Sequence, residues 1–311
     1  MALYTLTGEQ INTAYNTSGT AITQAYDIDG HQLLNPHKVS NSYTRTLILE
    51  NSENVAGTQG LACDSITQTI AQLYGGKIIA YDISTGEYTQ VAGSINLGHG
   101  TSGQFAPEKG NNDSYPMLYV STGHSVTVDN ENYYGVLIEM KIGETPSKAN
   151  RIFAVPDGGG YSGLFAIDFD NDILYHVQAE AYQSSTAEAT NISAWDMTSY
   201  VTFDDLPWVV QVTDGRYMLN NKLFSFTIPY VNEVQSLTFF DGLIALFSYD
   251  GYVQFVDPES RSVYMTINKN MPDFEREGIG FVLNETTEQY DMVLSNRKNG
   301  FANYYRYEFD L

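Results

Sequence analysis

A chain of 311 residues with 15 Lys+Arg against 37 Asp+Glu carries a formal charge of −22. That excludes the basic footprint of a nucleic-acid binder, and an anionic membrane surface would repel the chain. Hydrophobic residues at 42% supply a core, the single Cys63 excludes an internal disulfide and a cysteine-built zinc site, and no run approaches 18 apolar residues, so no membrane insertion is expected.

The first ten residues lack a basic n-region and an apolar h-region, so no signal peptide is expected. Thr7–Gln10 resembles a capping box and is followed by Ile11, Ala14 and Tyr15 at helical spacing, which predicts a short helix. Residues 22–28 and 31–34, split by Asp29-Gly30, read as a small hairpin. Residues 1–40 bury no core by themselves. They form an extension that packs on the remainder, 41–311, or docks on a neighbouring chain.

Beyond residue 40 the chain reads as all-β. It holds 24 Tyr, 15 Phe and 26 Gly at only 17% charged residues, a composition suited to pleated strands and tight turns. Tyr43–Glu50 is an isolated strand. Short apolar runs then recur, each opening at a small residue and ending at Asp or Asn: Gly60–Asp64, Gly163–Asp168, Ser236–Asp241 and Gly278–Asn284. Second strands follow at Gln68–Tyr74, Asp172–Gln178, Leu243–Ser248 and Tyr290–Ser295. Third strands follow at Lys77–Asp82, Asn191–Asp196, Tyr252–Asp257 and Asn303–Asp310. Asp82, Asp196 and Asp257 each precede Ser or Thr by two or three positions, the pattern of an Asx turn that reverses the chain into a fourth strand. Those fourth strands fit Tyr88–Val91, Leu223–Ile228 and Arg261–Met265. A further unit spans 98–156 and opens at Gly98-His99-Gly100. Insertions are expected at 179–190 and 200–221.

Five such units predict a five-bladed β-propeller. The final unit is one strand short, and residues 43–50 are expected to supply its outermost strand, closing the ring and covering two sheet edges. A β-sandwich or two smaller β domains are the alternatives.

Of the five histidines, His99 and His124 could combine with Asp113 or Asp129 as a metal site, but the spacing is generic and no metal or cofactor is expected. His176 sits mid-strand and reads as a core or face residue. No G-x-S-x-G elbow is present, and no catalytic residue is assigned. The residues just before each innermost strand would ring the channel mouth. They are Gln59, His99, Tyr161 (or Ser162), Gln235 and Glu277, a polar set able to bind an ion, water or a sugar. Tyr133, Tyr134, Trp195, Trp208, Tyr217, Tyr249, Tyr252, Tyr304 and Tyr305 are candidates for exposed stacking faces, although inter-blade packing would absorb most of them. Asp204–Trp208 reads as an exposed loop, so Asp204 and Trp208 join the candidate ligand-binding set.

Gly8–Tyr15 and Gln24–Gly30 make the N-terminal segment resemble the leader modules of phage and prophage tail-fibre proteins. Gln59–Asp64, Gly98–Gly100 and Glu277–Ile279 are similar to the inner-strand openings of five-bladed propeller heads in phage receptor-binding proteins. The resemblance implies a virion component that attaches to a bacterial surface polysaccharide, as a trimer in many cases, without catalysis by the propeller. It also implies contact with other tail proteins through residues 1–40. A polysaccharide lyase or hydrolase using Glu277 with His99 at the channel mouth, and a structural tail adaptor, are the competing readings.

Overall fold

The computed structural model describes residues 25–26, 32–34, 43–49, 59–74, 77–92, 97, 100, 102–111, 113–122, 126–128, 131–133, 135–143, 148–156, 163–178, 189–203, 212–231, 233–268, 275–298 and 301–309. Every regular element among them is a strand. Two short strands, β1 (Ala25–Tyr26) and β2 (Gln32–Leu34), pair antiparallel where the hairpin was expected. The expected helix at 7–15 lies outside the described residues.

Five sheets form a five-bladed β-propeller. Blade 1 is β4 (Gly60–Asp64), β5 (Thr69–Tyr74), β6 (Lys77–Asp82) and β7 (Tyr88–Ala92). Blade 2 is built on β8 (Gly103–Phe105) and β9 (Leu118–Thr122), with a side hairpin of β10 (Val126–Val128) and β11 (Glu131–Tyr133), then β12 (Gly135–Lys141) and β13 (Lys148–Val155). Blade 3 contains β14 (Gly163–Asp168), β15 (Ile173–Gln178) and β16 (Ala189–Asp196). The chain then leaves blade 3 as β17 (Tyr200–Thr202) and β18 (Val212–Leu219), and returns as its outer strand β19 (Lys222–Pro229). Blade 4 is β20 (Val234–Phe240), β21 (Leu243–Ser248), β22 (Tyr252–Asp257) and β23 (Ser262–Asn268). Blade 5 is β24 (Glu275–Asn284), β25 (Gln289–Lys298), β26 (Phe301–Phe309) and, on its outer edge, β3 (Tyr43–Leu49). Phe309 pairs with Tyr43 and Tyr304 with Leu49, so the expected closure by an early strand is present.

The alternation of each strand explains why blades stack in a ring. Successive side chains point to opposite faces, and here both faces are buried. Leu61 packs with Val282, Val293 and Tyr304 between blades 1 and 5, whereas Ala62 packs with Val120 and Ile138 between blades 1 and 2. Three more clusters fill the remaining seams: Phe165 with Leu137 and Phe153, Leu164 with Leu237 and Leu246, and Ile279 with Phe247 and Leu294. Full burial of each large apolar side chain contributes about 2 kcal/mol against its exposed state.

Two expectations need correction. The innermost strand of blade 2 begins at Gly103, not at Gly98-His99-Gly100. A second Gly-containing triplet just upstream imitates the opening, while the true strand is only three residues long. The insertion at 200–221 is not a loop of blade 3 throughout. Its β18 pairs in parallel with β13, and β17 pairs antiparallel with β18, so blade 2 gains two outer strands. Among the candidate stacking aromatics, Trp195, Tyr304 and Tyr305 are buried in the seams, the inter-blade packing expected for most of them. Tyr217 and Tyr249 are half-buried, and Tyr252 is exposed at 41%. Tyr134, Trp208 and the Tyr133 side chain lie outside the described residues.

Candidate functional site

The innermost strands β4, β8, β14, β20 and β24 surround the channel, each between its two ring neighbours. All five start at the same end, here called the mouth. At that end a backbone irregularity repeats. In blade 5, Arg276 faces Asn296 and Gly278 faces Ser295, which leaves Glu277 as the extra residue of a β-bulge. In blade 4, Val234 faces Ser248 and Ser236 faces Phe247, which leaves Gln235 in the same role. In blade 1, Gly60 faces Leu73, and the N–H of Gln59 donates to the Leu73 carbonyl at 3.1 Å. Two residues therefore share one partner there as well. A bulge re-aims a side chain and ends regular pairing, and such irregularities concentrate beside binding sites.

Two of the residues expected at the mouth are thus on bulges, and Gln59 makes an extra bond at the start of β4. Gln59 and Gln235 are half-buried, and Glu277 is buried, with 1% exposure. Just upstream of Gln235, Glu233 has φ 46°, the left-handed region that a side chain enters at a cost of about 1–2 kcal/mol. Its carbonyl accepts the Tyr249 N–H at 2.9 Å, which ties the strained residue to the next strand. Small residues follow the bulges because blades crowd together at the mouth. A Cβ on Gly278 would stand 2.7 Å from the Leu61 backbone nitrogen, and the Ser236 hydroxyl accepts the Ile279 N–H at 3.4 Å. His99, Tyr161, Asp204 and Trp208 lie outside the described residues, as do His124 and Asp129. Asp113 receives the Lys141 ammonium at 3.0 and 3.2 Å, which gives it a partner other than a metal. Among the described residues no cluster of three or more His, Cys, Asp or Glu forms. His176 is 2% exposed and lies 5.1 Å from the Phe165 ring, as a core histidine.

Toward the opposite end the channel is crossed by a side chain that the sequence did not single out. Gln104, on β8, donates from Nε2 to the Ile167 carbonyl at 2.7 Å and accepts the Ile167 N–H on Oε1 at 3.0 Å. The same Oε1 accepts the Phe239 N–H at 3.3 Å. Its amide behaves as one more strand residue for blade 3 and also reaches blade 4. Ser102 closes the gap beside it: its hydroxyl reaches the Phe165 carbonyl at 3.3 Å and the Ser121 hydroxyl at 2.9 Å. Between blades 5 and 1, the Ser65 hydroxyl accepts the Leu283 N–H at 2.9 Å, and Gln68 Nε2 donates to the Leu283 carbonyl at 3.0 Å. These bonds satisfy the exposed inner edges of β14 and β24, whose groups would otherwise be costly to leave unmade.

The far-face acids are committed to turns, as the sequence pattern predicts. Asp64 accepts the N–H groups of Ile66 and Thr67, each at 3.0 Å, and the Thr67 hydroxyl. Asp82 accepts from Ser84 and Thr85, Asp196 from Thr198, and Asp257 from the Glu259 N–H. The Ser84 hydroxyl, with the Thr85 N–H, holds the Asp82 carboxyl below its ordinary range, and Thr198 does so for Asp196. Glu139, in blade 2, is also spoken for. It is 1% exposed and takes bonds from the Tyr119 hydroxyl at 2.7 Å, Arg151 Nε at 2.8 Å and the Asn150 amide. A saturated carboxylate of this kind is a structural clasp. Cys63 is no nucleophile candidate, because burial, with the Asp64 charge second, pushes its thiol up and keeps it protonated.

No protein-family model matches the chain, and no curated protein matches it. Among solved structures, it is similar to the glutaminyl cyclase of Myxococcus xanthus at 11% identity and TM-score 0.49, over 86% of this chain and 97% of that one. It is similar to a luciferin-regenerating enzyme at 10% identity and TM-score 0.47, over 86% and 95%. A nidogen/laminin complex matches at 11% identity and TM-score 0.40, over 72% and 85%. None of the three transfers a site or an activity to this chain.

Proposed function

We propose that the chain is a non-catalytic receptor-binding module of a phage or prophage tail, and that the mouth of its propeller recognises a bacterial surface glycan. The observation that supports the binding role is the irregular pairing at one end of the inner strands, with bulges at Gln235 and Glu277 and an extra backbone bond from Gln59 to Leu73. The two half-buried amides of Gln59 and Gln235 offer donors and acceptors matched to sugar hydroxyls, while Glu277 is buried behind them. The assignment to a virion draws on the resemblance of residues 8–30 and of the inner-strand openings to tail proteins. In that setting residues 1–40 dock on other tail proteins, the acidic surface keeps the particle component dispersed, and trimerisation multiplies weak sites into avid attachment.

The test is a glycan array probed with the wild-type chain and with Gln59→Ala and Gln235→Ala. Saturable binding that weakens about tenfold or more in both variants supports the proposal. Depolymerisation of any bound polysaccharide by the wild-type chain would replace it with the lyase or hydrolase reading. Deletion of residues 1–40 is expected to abolish incorporation into particles while array binding persists.

A further inference from the structure

The geometry points to recognition of the end of a glycan chain, not of an internal stretch, with Gln104 as the residue that limits how far the ligand enters. The inference rests on the glycan-binding reading above and concerns which part of the ligand the mouth admits. In the ring, blade 2 adjoins blades 1 and 3, so a blade 2 side chain bonded to blade 4 has to cross the channel. Gln104 does this through its three bonds to Ile167 and Phe239. Its amide orientation is fixed, since only one arrangement of oxygen and nitrogen serves both the N–H and the carbonyl of Ile167. Ile167 lies four residues beyond Gly163, at which β14 begins, so on the blade 3 side the crossing stands about 13 Å of extended strand below the start of β14.

The walls beside this floor are stitched as well. Ser102 bridges blades 2 and 3, Ser236 bridges blades 4 and 5, and Ser65 with Gln68 bridges blades 5 and 1. A polymer entering the mouth meets a bonded floor ahead and bonded seams at these three points. It cannot thread through past Gln104, so what reaches the floor is a terminus or a branch tip.

The experiment immobilises each array glycan in two forms, one with its non-reducing end free and one with that end capped by a second covalent tether to the surface, so that no terminus is free. Wild-type binding is expected to fall about tenfold or more on capping. Equal binding of capped and free forms overturns the inference while leaving glycan recognition intact. Absence of binding to both forms removes the glycan reading and this inference with it. Gln104→Ala, checked for folding by its thermal transition, is expected to tolerate the cap better than wild type. An unchanged capping penalty in a folded Gln104→Ala protein assigns the selectivity to the rim and overturns the role given to Gln104.

Discussion

The two ends of the propeller are built from the same strands by different rules. At the far face, the turn acids Asp64, Asp82, Asp168, Asp196 and Asp257 are consumed by local backbone bonds, and the blades repeat one another. At the mouth, bulges interrupt the pairing and offer side chains that no turn requires. The contrast separates carboxylates committed to turns from mouth residues set by irregular pairing, even though both groups are polar and both sit at strand ends.

Substitutions at the two ends should therefore separate in kind and in size. The largest effect is expected at the crowded seam behind the mouth. Gly278→Ala drives a Cβ to 2.7 Å from the Leu61 backbone nitrogen, which cannot swing aside, and should destabilise the chain by about 3 kcal/mol in denaturant melts. At the far face, Asp64→Ala removes the acceptor of two N–H groups and a hydroxyl and should cost about 2 kcal/mol by the same measurement. Glu288→Gly acts the other way. It relieves a φ of 56° in the turn before β25 and should add about 0.5–1 kcal/mol. Acid titration should give a smaller signal. The lowered carboxyls of Asp82 and Asp196 stabilise fully above their ordinary value of 3.8 and lose that contribution as pH falls through the lower folded value. Melts taken between about pH 5 and 2 should show a shallower decline in Asp82→Asn, with the effect reduced by the exposure of this turn. The smallest effect on stability, within about 0.5 kcal/mol, is expected for Gln59→Ala and Gln235→Ala, both half-buried at the mouth. A large loss of stability in either would place the mouth under the same rule as the far face and remove the contrast.

Much of the fold was legible because its signals are local and repeated. The Asp at the end of a third strand needs only its own neighbours to make a turn, and Tyr43–Leu49 stands out as a strand without a hairpin partner in sequence. The mouth was legible in part: Gln59 precedes β4 as expected, whereas Gln235 and Glu277 lie within β20 and β24, at bulges near their starts. The floor was not. Gln104 bonds to Ile167 and Phe239, 63 and 135 positions away, and nothing in a three-residue strand announces such partners. The same distance hid the parallel pairing of β18 with β13. The aromatic surplus went into inter-blade packing, as expected for most of it. Trp195 and Tyr304 look excessive for a one-sided sheet, but a ring of blades buries both faces of every sheet.

Closing the ring with β3 imposes an order on biosynthesis. Tyr43 leaves the ribosome early and waits for Phe309, its partner, which is made some tens of seconds later at ordinary elongation rates. Throughout that interval the nascent chain carries an unpaired strand that could join the wrong sheet, or a strand of another nascent copy. Chaperone demand during translation, and slow refolding from denaturant, are the expected consequences of so distant a pairing.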